Sequence, residues 1–412
     1  MQQASSVEDP VGLYLSIPFC RSKCTFCNFA SGVYPASDIP RYVARLAADL
    51  RHARARAQAL ALVVPQQVDS VYFGGGTPSI LTPGQLLACF RAIRDCFTIL
   101  PDAEITIEAA PGFLADEVLE AAAEAGVNRI SFGVQTFIDA EAHATGRLHA
   151  AAQALADLAR VQRAGMSVSA DLIAGLPGQN RATWQHSLET LIEAAPEHAS
   201  IYMLEVDDDS RLGGEMLLGG TRYGAGLTPS DDLVADFYAE ACETLSTHGL
   251  AQYEISNFAR PGHQSRHNLR YWQRRPYLGL GLDASSMLRT VTGQPVRFTT
   301  PDDLETYLTD PSNPVTDLHT LDQAEELEEA WFLGLRRNQG VSLDALRAEF
   351  SPFAVDAFLP VLKELASIGL LQFADHQVAL TARGRLLSNE VFTRFLDRPE
   401  EAQISSEAAV SR

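Results

Sequence analysis

Long hydrophobic runs are missing from this chain of 412 residues. None approaches the roughly 18 consecutive apolar residues that a membrane-spanning helix needs. The stretch Met1–Asp9 has neither a basic region nor an apolar core, so no secretory signal is expected and the cytoplasm is the default compartment. Positive charge is also scarce. Against 52 Asp and Glu stand 32 Lys and Arg, for a formal net charge of −20. A surface of that sign repels nucleic acid and is no general binder of anionic lipid. Cysteine is sparse too. Cys89, Cys96 and Cys242 are scattered through helix-like segments, and the other three crowd into eight residues. A disulfide framework would be denser and evenly paired. What remains is ordinary globular composition, 46% hydrophobic and 20% charged, on a chain long enough for two or three domains.

From Val11 to about Leu204, short β-branched runs alternate with longer helical patterns. Strands are expected at Leu13–Ile17, Asp69–Phe73, Glu104–Glu108, Arg129–Gly133, Ser167–Ala174 and Ser200–Leu204. Helices are expected between them, among them Tyr42–Leu62 and Thr82–Phe97. The latter has Thr82 as N-cap and Pro83 at the first helical position. Six strand–helix units in series require a parallel sheet, either open and doubly wound or closed toward a barrel. Reactive groups then belong at the C-terminal ends of the strands. Beyond Asp207-Asp208-Asp209 the alternation loosens. The glycine-rich Leu212–Leu227 reads as a mobile loop, Asp232–His248 as a helix, and Tyr253–Gly281 as aromatic, basic and irregular. Helices at Asp322–Arg337, Leu343–Phe350 and Ala354–Ile368 precede a hairpin, Leu371–Ala374 with Gln377–Leu380, and a last helix from Thr381. That order is winged-helix-like. Its acidic flank, Glu325, Glu326, Glu328 and Glu329, favours packing or a protein partner over DNA.

The densest chemistry is Cys20-Arg21-Ser22-Lys23-Cys24-Thr25-Phe26-Cys27, directly after the first strand. Clustered thiolates hold soft metals. Zinc would want a fourth ligand to close its tetrahedron, and none is near, because Phe29 stands two residues beyond Cys27. Three thiolates suit a cubane iron–sulfur cluster whose fourth iron stays open. Gly74-Gly75-Gly76-Thr77-Pro78 ends the second strand with backbone that a polar ligand can approach closely. Glu108, Gln135 and Asp171 fall at or within the later strands, and Arg147 lies beyond the fourth. Two carboxylates, an amide and a guanidinium can read a ribose diol, an amine and a carboxylate. Taken singly, each could equally be a strand-end cap or a surface ion pair.

Cys-x3-Cys-x2-Cys at the end of a first barrel strand resembles the radical S-adenosylmethionine superfamily. Tyr14-Leu15-Ser16-Ile17-Pro18-Phe19-Cys20 is similar to the approach strand of the oxygen-independent coproporphyrinogen III oxidase group. The glycine motif, Glu108, Gly133-Val134-Gln135, Gly146-Arg147-Leu148-His149 and Asp171-Leu172-Ile173-Ala174-Gly175-Leu176-Pro177-Gly178 follow in that group's order. His267-Asn268-Leu269-Arg270-Tyr271-Trp272 points to its heme chaperone branch, HemW. The likeness runs from about Tyr14 to Phe395. It implies an α/β fold, a partial (β/α)6 radical S-adenosylmethionine barrel with a C-terminal, mostly helical, winged-helix-like domain. It also implies a [4Fe-4S] cluster on Cys20, Cys24 and Cys27, and S-adenosylmethionine held by Tyr14, Phe26, Gly75, Gly76, Thr77, Glu108, Gln135, Arg147 and Asp171. Arg147 would face the carboxylate of that ligand and Phe26 its adenine. Heme would meet His267, Tyr271 and Trp272, with Arg270, Arg274 and Arg275 near its propionates.

The implied organisation is a tail at 1–10, the barrel at 11–210, a linking region carrying the His-Asn-x-x-Tyr-Trp segment at 211–290, the C-terminal domain at 291–397 and a tail at 398–412. Ser16 and Ser285 stand where relatives often carry His, and Glu108-Ala109-Ala110-Pro111 lacks an Asn common before that proline. Ser16 in particular removes a polar neighbour of the cluster. Two functions compete. A heme chaperone would bind heme, the cluster and S-adenosylmethionine and deliver heme to an acceptor protein, with a homodimer and an acceptor at the inner membrane face left open. The oxidase would decarboxylate coproporphyrinogen III; its motif carries a further Cys at the place of Phe29, and that absence favours the chaperone. A radical methyltransferase on the same core is disfavoured by the His267–Trp272 segment.

Overall fold

The computed structural model describes residues 9–310 and 315–396. The tails expected at 1–10 and 398–412 lie outside these apart from Asp9 and Pro10. Two compact units emerge. The first takes residues 9–251, 256–267, 276–310 and 315–319, and the second takes 252–255, 268–275 and 320–396.

In the first unit six strands pair in parallel in chain order. They are β1 (Val11–Ile17), β2 (Gln67–Gly75), β3 (Thr98–Ala109), β4 (Arg129–Gln135), β5 (Ser167–Ala174) and β6 (His198–Met203). Each is followed by a long helix, as a parallel sheet requires: α1 (Asp38–Ala59), α2 (Pro83–Cys96), α3 (Asp116–Glu124), α4 (Ala151–Arg163), α5 (Arg181–Ala194) and α6 (Asp231–Thr247). The register sorts the side chains into two faces. Leu15, Phe73, Ile107, Ile130 and Val168 share one row and are all buried. Phe73 meets Phe90 of α2 at 5.1 Å between ring centroids, so this apolar face backs onto the helices. The other face is polar. It carries Tyr14, Tyr72, Thr106 and Arg129 in one row, Glu108, Ser131, Ser169 and His198 in the next, and Gly133, Asp171 and Ser200 above. Strand alternation thus lines one side of the sheet with ligand-competent groups, the partial barrel that the sequence implies.

Helix ends follow local chemistry. Thr82 accepts the Gln85 N–H while the Gln85 side chain accepts the Thr82 N–H, a reciprocal cap with Pro83 at the first turn. Three segments differ from expectation. The glycine-rich 212–227 stretch is ordered as a helix, Arg211–Leu217, and a 3-10 turn, Arg222–Leu227. The Ser210 hydroxyl caps the helix by accepting the Gly213 N–H at 2.9 Å, and Leu212 is wholly buried. The Tyr253–Gly281 region holds a strand Asn257–Ala259 antiparallel to β6, a helix Arg266–Trp272, and β7 (Tyr277–Leu280). Strand β7 lies parallel to β1 on its open side, Leu13 opposite Leu278 and Leu15 opposite Leu280. An antiparallel pair, β8 (Ser286–Thr290) and β9 (Pro295–Thr299), continues from it. Residues 276–310 and 315–319 therefore belong to the barrel unit, not to a linker or a C-terminal domain.

The second unit has helix Gln323–Arg336, strand Val341–Ser342, helices Leu343–Glu349 and Leu359–Ser367, the hairpin Leu371–Ala374 with Gln377–Leu380, and helix Ser388–Leu396. Val341–Ser342 joins the hairpin as a third strand. Trp331, fully buried, packs on Phe395 at 5.3 Å and on Phe358 at 5.8 Å. Among the described residues no helix is long and apolar enough to cross a membrane.

Candidate functional site

The three cysteines follow β1 on a loop fixed at both ends. The Cys20 N–H donates to Gly32 O at 2.8 Å and the Gly32 N–H to Pro18 O at 2.9 Å, a short parallel bridge. Midway, the Thr25 N–H donates to Thr145 O at 3.0 Å and the Ser22 hydroxyl to Gly146 O at 2.8 Å. All three thiols are free and half-buried. Thr77 Oγ1 lies 3.8 Å from Cys20 Sγ, Ser31 Oγ lies 3.9 Å from Cys27 Sγ, and Arg147 Nη1 lies 3.4 Å from Cys24 Sγ. Each sulfur thus has at least one polar neighbour, the arrangement that stabilises thiolates carrying a cluster. Burial raises the Cys20 thiol, with Thr77 and Ser31 opposing. Among the described residues no three His, Cys, Asp or Glu gather around a single metal ion. Three thiols on one loop, with no fourth cysteine beside them, suit a cubane that binds one iron through each thiolate and leaves its fourth iron open.

The glycine motif packs edge-on against this loop. The Gly76 N–H donates to Ile17 O and the Thr77 N–H to Phe19 O, both at 2.9 Å. A Cβ on Gly76 would lie 2.8 Å from Ile17 O and from Pro18 C. Gly75 has φ of +99°, open to glycine, and a Cβ there would stand 2.9 Å from Ser16 Oγ. Tyr14 sits beneath this motif, its ring 6.1 Å from that of Tyr72.

Glu108 Oε1 accepts the Tyr72 hydroxyl at 2.8 Å, and its carboxylate also accepts the Gly75 N–H. Burial pushes the carboxyl up to about 7, with the Tyr72 hydrogen bond opposing and Asp171 adding to the rise. Burial likewise pushes Asp171 up to about 6, opposed by a hydrogen bond from Ser200 and by Arg129 and Arg147. Asp171 Oδ1 and Gln135 Oε1 are buried and have no hydrogen-bond partner among the described residues. Gln135 itself is held at φ +71°, a costly conformation for a side chain of this kind. Two orphaned acceptors, one of them on Asp171, together with the poorly solvated Glu108 and Asp171 carboxyls, call for a ligand that brings donors and positive charge. An ammonium, a sulfonium and ribose hydroxyls answer that call, so the residues present fit S-adenosylmethionine. Arg147 donates to Gly133 O besides its contact with Cys24, tying the end of β4 to the cysteine loop. Phe26 is half-buried on that loop.

The heme expectation for His267 meets a different geometry. Its side chain is 1% exposed, Nδ1 shares a hydrogen bond with Ser70 Oγ at 3.0 Å, and the ring stacks on Tyr72 at 5.2 Å. Burial and Arg129 lower its pKa to about 3. The imidazole is therefore a neutral part of the barrel lining and not at a surface that a porphyrin can reach. Arg270 is likewise buried, and Arg274 is taken up by Glu349 at 2.8 Å. Tyr271 and Trp272 are half-buried, with Arg336 over the Trp272 ring at 4.2 Å. Tyr72, Ser200 and Arg129 enter the site without having been singled out. Only the cross-strand register shows that Tyr72 shares a face with Tyr14, and Ser200 with Asp171.

A family model for the radical SAM superfamily matches residues 14–191, and one for the HemN C-terminal domain matches 321–387. The heme chaperone HemW of Bacillus subtilis is 34% identical, the match covering 93% of this chain and 98% of that protein. The heme chaperone HemW of Mycobacterium tuberculosis is 31% identical over 94% of this chain and 95% of its own. The mitochondrial radical S-adenosyl methionine domain-containing protein 1 of Bos taurus is 33% identical over 95% of this chain and 88% of its own. Among solved structures, the coproporphyrinogen III oxidase HemN of Escherichia coli superposes with a TM-score of 0.79 and 24% identity, covering 94% of this chain and 90% of that one. That likeness speaks to the fold.

Proposed function

The chain belongs to the HemW heme chaperones of the radical SAM superfamily, and from that premise we propose that it binds heme and passes it to an acceptor protein. The observation that carries this reading is the length of the match, which reaches 98% of the Bacillus subtilis heme chaperone. Cys20, Cys24 and Cys27 hold a [4Fe-4S] cluster, and the strand ends above it take S-adenosylmethionine. Bound together, these groups supply one-electron chemistry, or a structural anchor whose occupancy reports on the site. The chain's own part is to position them. Gly75, Gly76 and Thr77 bring backbone to the ligand, and Glu108, Gln135 and Asp171 accept from its ammonium and hydroxyls. Arg147 meets its carboxylate, with Tyr14 below and Phe26 on the adenine side. An acceptor at the inner membrane face and a homodimer belong to the same reading.

The carboxyls make nucleotide binding depend on pH. Glu108 is held near 7 and Asp171 near 6 by burial, so both are partly protonated below neutrality. A cationic ligand favours their ionised forms, so binding releases protons and tightens as pH rises. Affinity for S-adenosylmethionine should climb between about pH 5 and 7.5, by up to roughly tenfold per unit for each proton released, and level off above. Calorimetry in buffers of different ionisation enthalpy reads the proton count; a flat profile would remove both carboxylates from the ligand. The function itself is tested by titrating reconstituted protein with heme and, separately, supplying coproporphyrinogen III under reducing, anaerobic conditions. A saturable Soret band without decarboxylation is expected. Multiple turnovers to protoporphyrinogen would assign the oxidase activity instead.

A further inference from the structure

The polar face of the barrel sheet carries a buried cation to which the site described so far gives no task. Arg129, the first residue of β4, stands level with Tyr72 and Thr106 and one row below Glu108. It is 4% exposed. Its Nε is buried with no hydrogen-bond partner among the described residues, and so is Thr106 Oγ1 in the same row. An open donor at that depth costs stability. A guanidinium, unlike an ammonium or an imidazole, does not shed its proton to escape burial, so this charge is present at every working pH.

Titratable groups face it from every side. Tyr72 comes from β2, Glu108 from β3, Asp171 from β5, His198 from β6 and His267 from the helix Arg266–Trp272. Burial, with Arg129 adding to it, drives both imidazoles to the neutral form. Burial and Glu108 together keep the Tyr72 and Tyr14 hydroxyls protonated. The two carboxyls are what remains to answer the cation. Burial pushes both of them up. On Glu108 the opposition comes from Tyr72, the Gly75 N–H and Arg129, and on Asp171 from Ser200, Arg129 and Arg147. Arg129 thus bears on both carboxyls at once.

We propose that Arg129 is a positioning residue for the nucleotide site, a fixed cation below the pocket that keeps Glu108 and Asp171 in the ionised form that receives S-adenosylmethionine. The proposal rests on the reading that these two carboxyls hold that ligand, and it adds what makes them ready. Its signature is two-sided. Without the cation both carboxyls ionise at higher pH, so a positively charged ligand binds less well on the acid side. Once they are ionised, the same deletion removes a charge that repels the ligand's sulfonium and ammonium. Affinity on the alkaline side is then equal or higher.

The test measures S-adenosylmethionine affinity of cluster-reconstituted, full-length protein from about pH 5.5 to 9, spanning the ionisation of both carboxyls. Arg129→Met and Arg129→Gln drop the charge, and Arg129→Lys keeps it. In the two neutral variants the midpoint of the rise should move up by about one pH unit, a loss of roughly tenfold near pH 6, with the plateau kept or raised. Iron content should be unchanged, and Arg129→Lys should follow the wild type. An unmoved midpoint in the neutral variants would overturn the proposal. So would a loss of equal size at every pH, which would give Arg129 to packing alone. Should neither neutral variant fold, the profile of Arg129→Lys decides, and a displaced midpoint there would overturn the proposal. A flat profile in the wild type would refute the reading beneath it, a result separable from the others.

Discussion

Alanine at Cys20, Cys24 or Cys27 should leave the anaerobically reconstituted protein without iron or acid-labile sulfide. Each thiolate would hold one iron, and the loop offers no spare sulfur, since Cys89 is buried in α2 and Cys96 and Cys242 lie on α2 and α6. A cubane reduced to two protein ligands loses its hold on the protein in water. The visible thiolate-to-iron absorption should disappear in all three variants. The barrel should still fold, because the loop is anchored by backbone bonds from Cys20 to Gly32 and from Thr25 to Thr145 that the substitutions do not touch. Full iron retention in all three would show that the cluster is ligated elsewhere.

Gly76→Ala should be nearly as damaging, through geometry alone. The added methyl would sit 2.8 Å from Ile17 O and Pro18 C and 2.9 Å from Phe19 O. Those atoms are backbone, and the two oxygens among them accept the Gly76 and Thr77 N–H groups that bond the ends of β1 and β2 together. Neither partner can swing away as a long side chain would. Overpacking of this kind costs about 1–3 kcal/mol, and the rigid neighbours put it at the upper end. The segment forced to move runs directly into Cys20, so lower thermal stability and a low iron content should appear together. Gly84→Ala is the control, because a Cβ there meets nothing within 4 Å. A Gly76→Ala protein with wild-type melting temperature and full cluster would show that the β1–β2 junction yields more easily than its hydrogen bonds suggest.

Much of the barrel was legible because its signals are local. β-branched runs mark the six strands, Thr82 and Pro83 mark the start of α2, and the cysteine spacing names its own chemistry. The sequence could not show what depends on register. Arg129 is merely the first residue of β4 until pairing places it level with Thr106 and Tyr72, inside the barrel and near Glu108 and Asp171. His267 carries a conspicuous motif, yet its burial is decided by Ser70 and Tyr72, nearly 200 positions earlier. The glycines of 212–227 suggested a loop because glycine is a poor helix former. Tertiary contacts override that preference: the Leu212 N–H reaches Thr25 O at 2.8 Å and the Leu212 side chain is buried. Strand β7 escaped because Tyr-Leu-Gly-Leu is too short to show a period, and only the open side of β1 gives it a place.

That last strand has a consequence for how the protein comes to exist. Strand β1 leads into the cysteine loop and is made first, but its second neighbour, Tyr277–Leu280, is made about two-thirds of the way along the chain. Until then the nascent polypeptide carries a mostly apolar strand with one unpaired side, the kind of edge that invites another chain. Synthesis from one end to the other therefore sets a schedule. The thiols emerge from the ribosome early, yet the strand that aims them is sealed on both sides only after some 260 more residues have followed. Metal loading should then wait until the barrel has closed over its own beginning, and any product that stops short of residue 280 should be bound for aggregation or degradation rather than for a cluster.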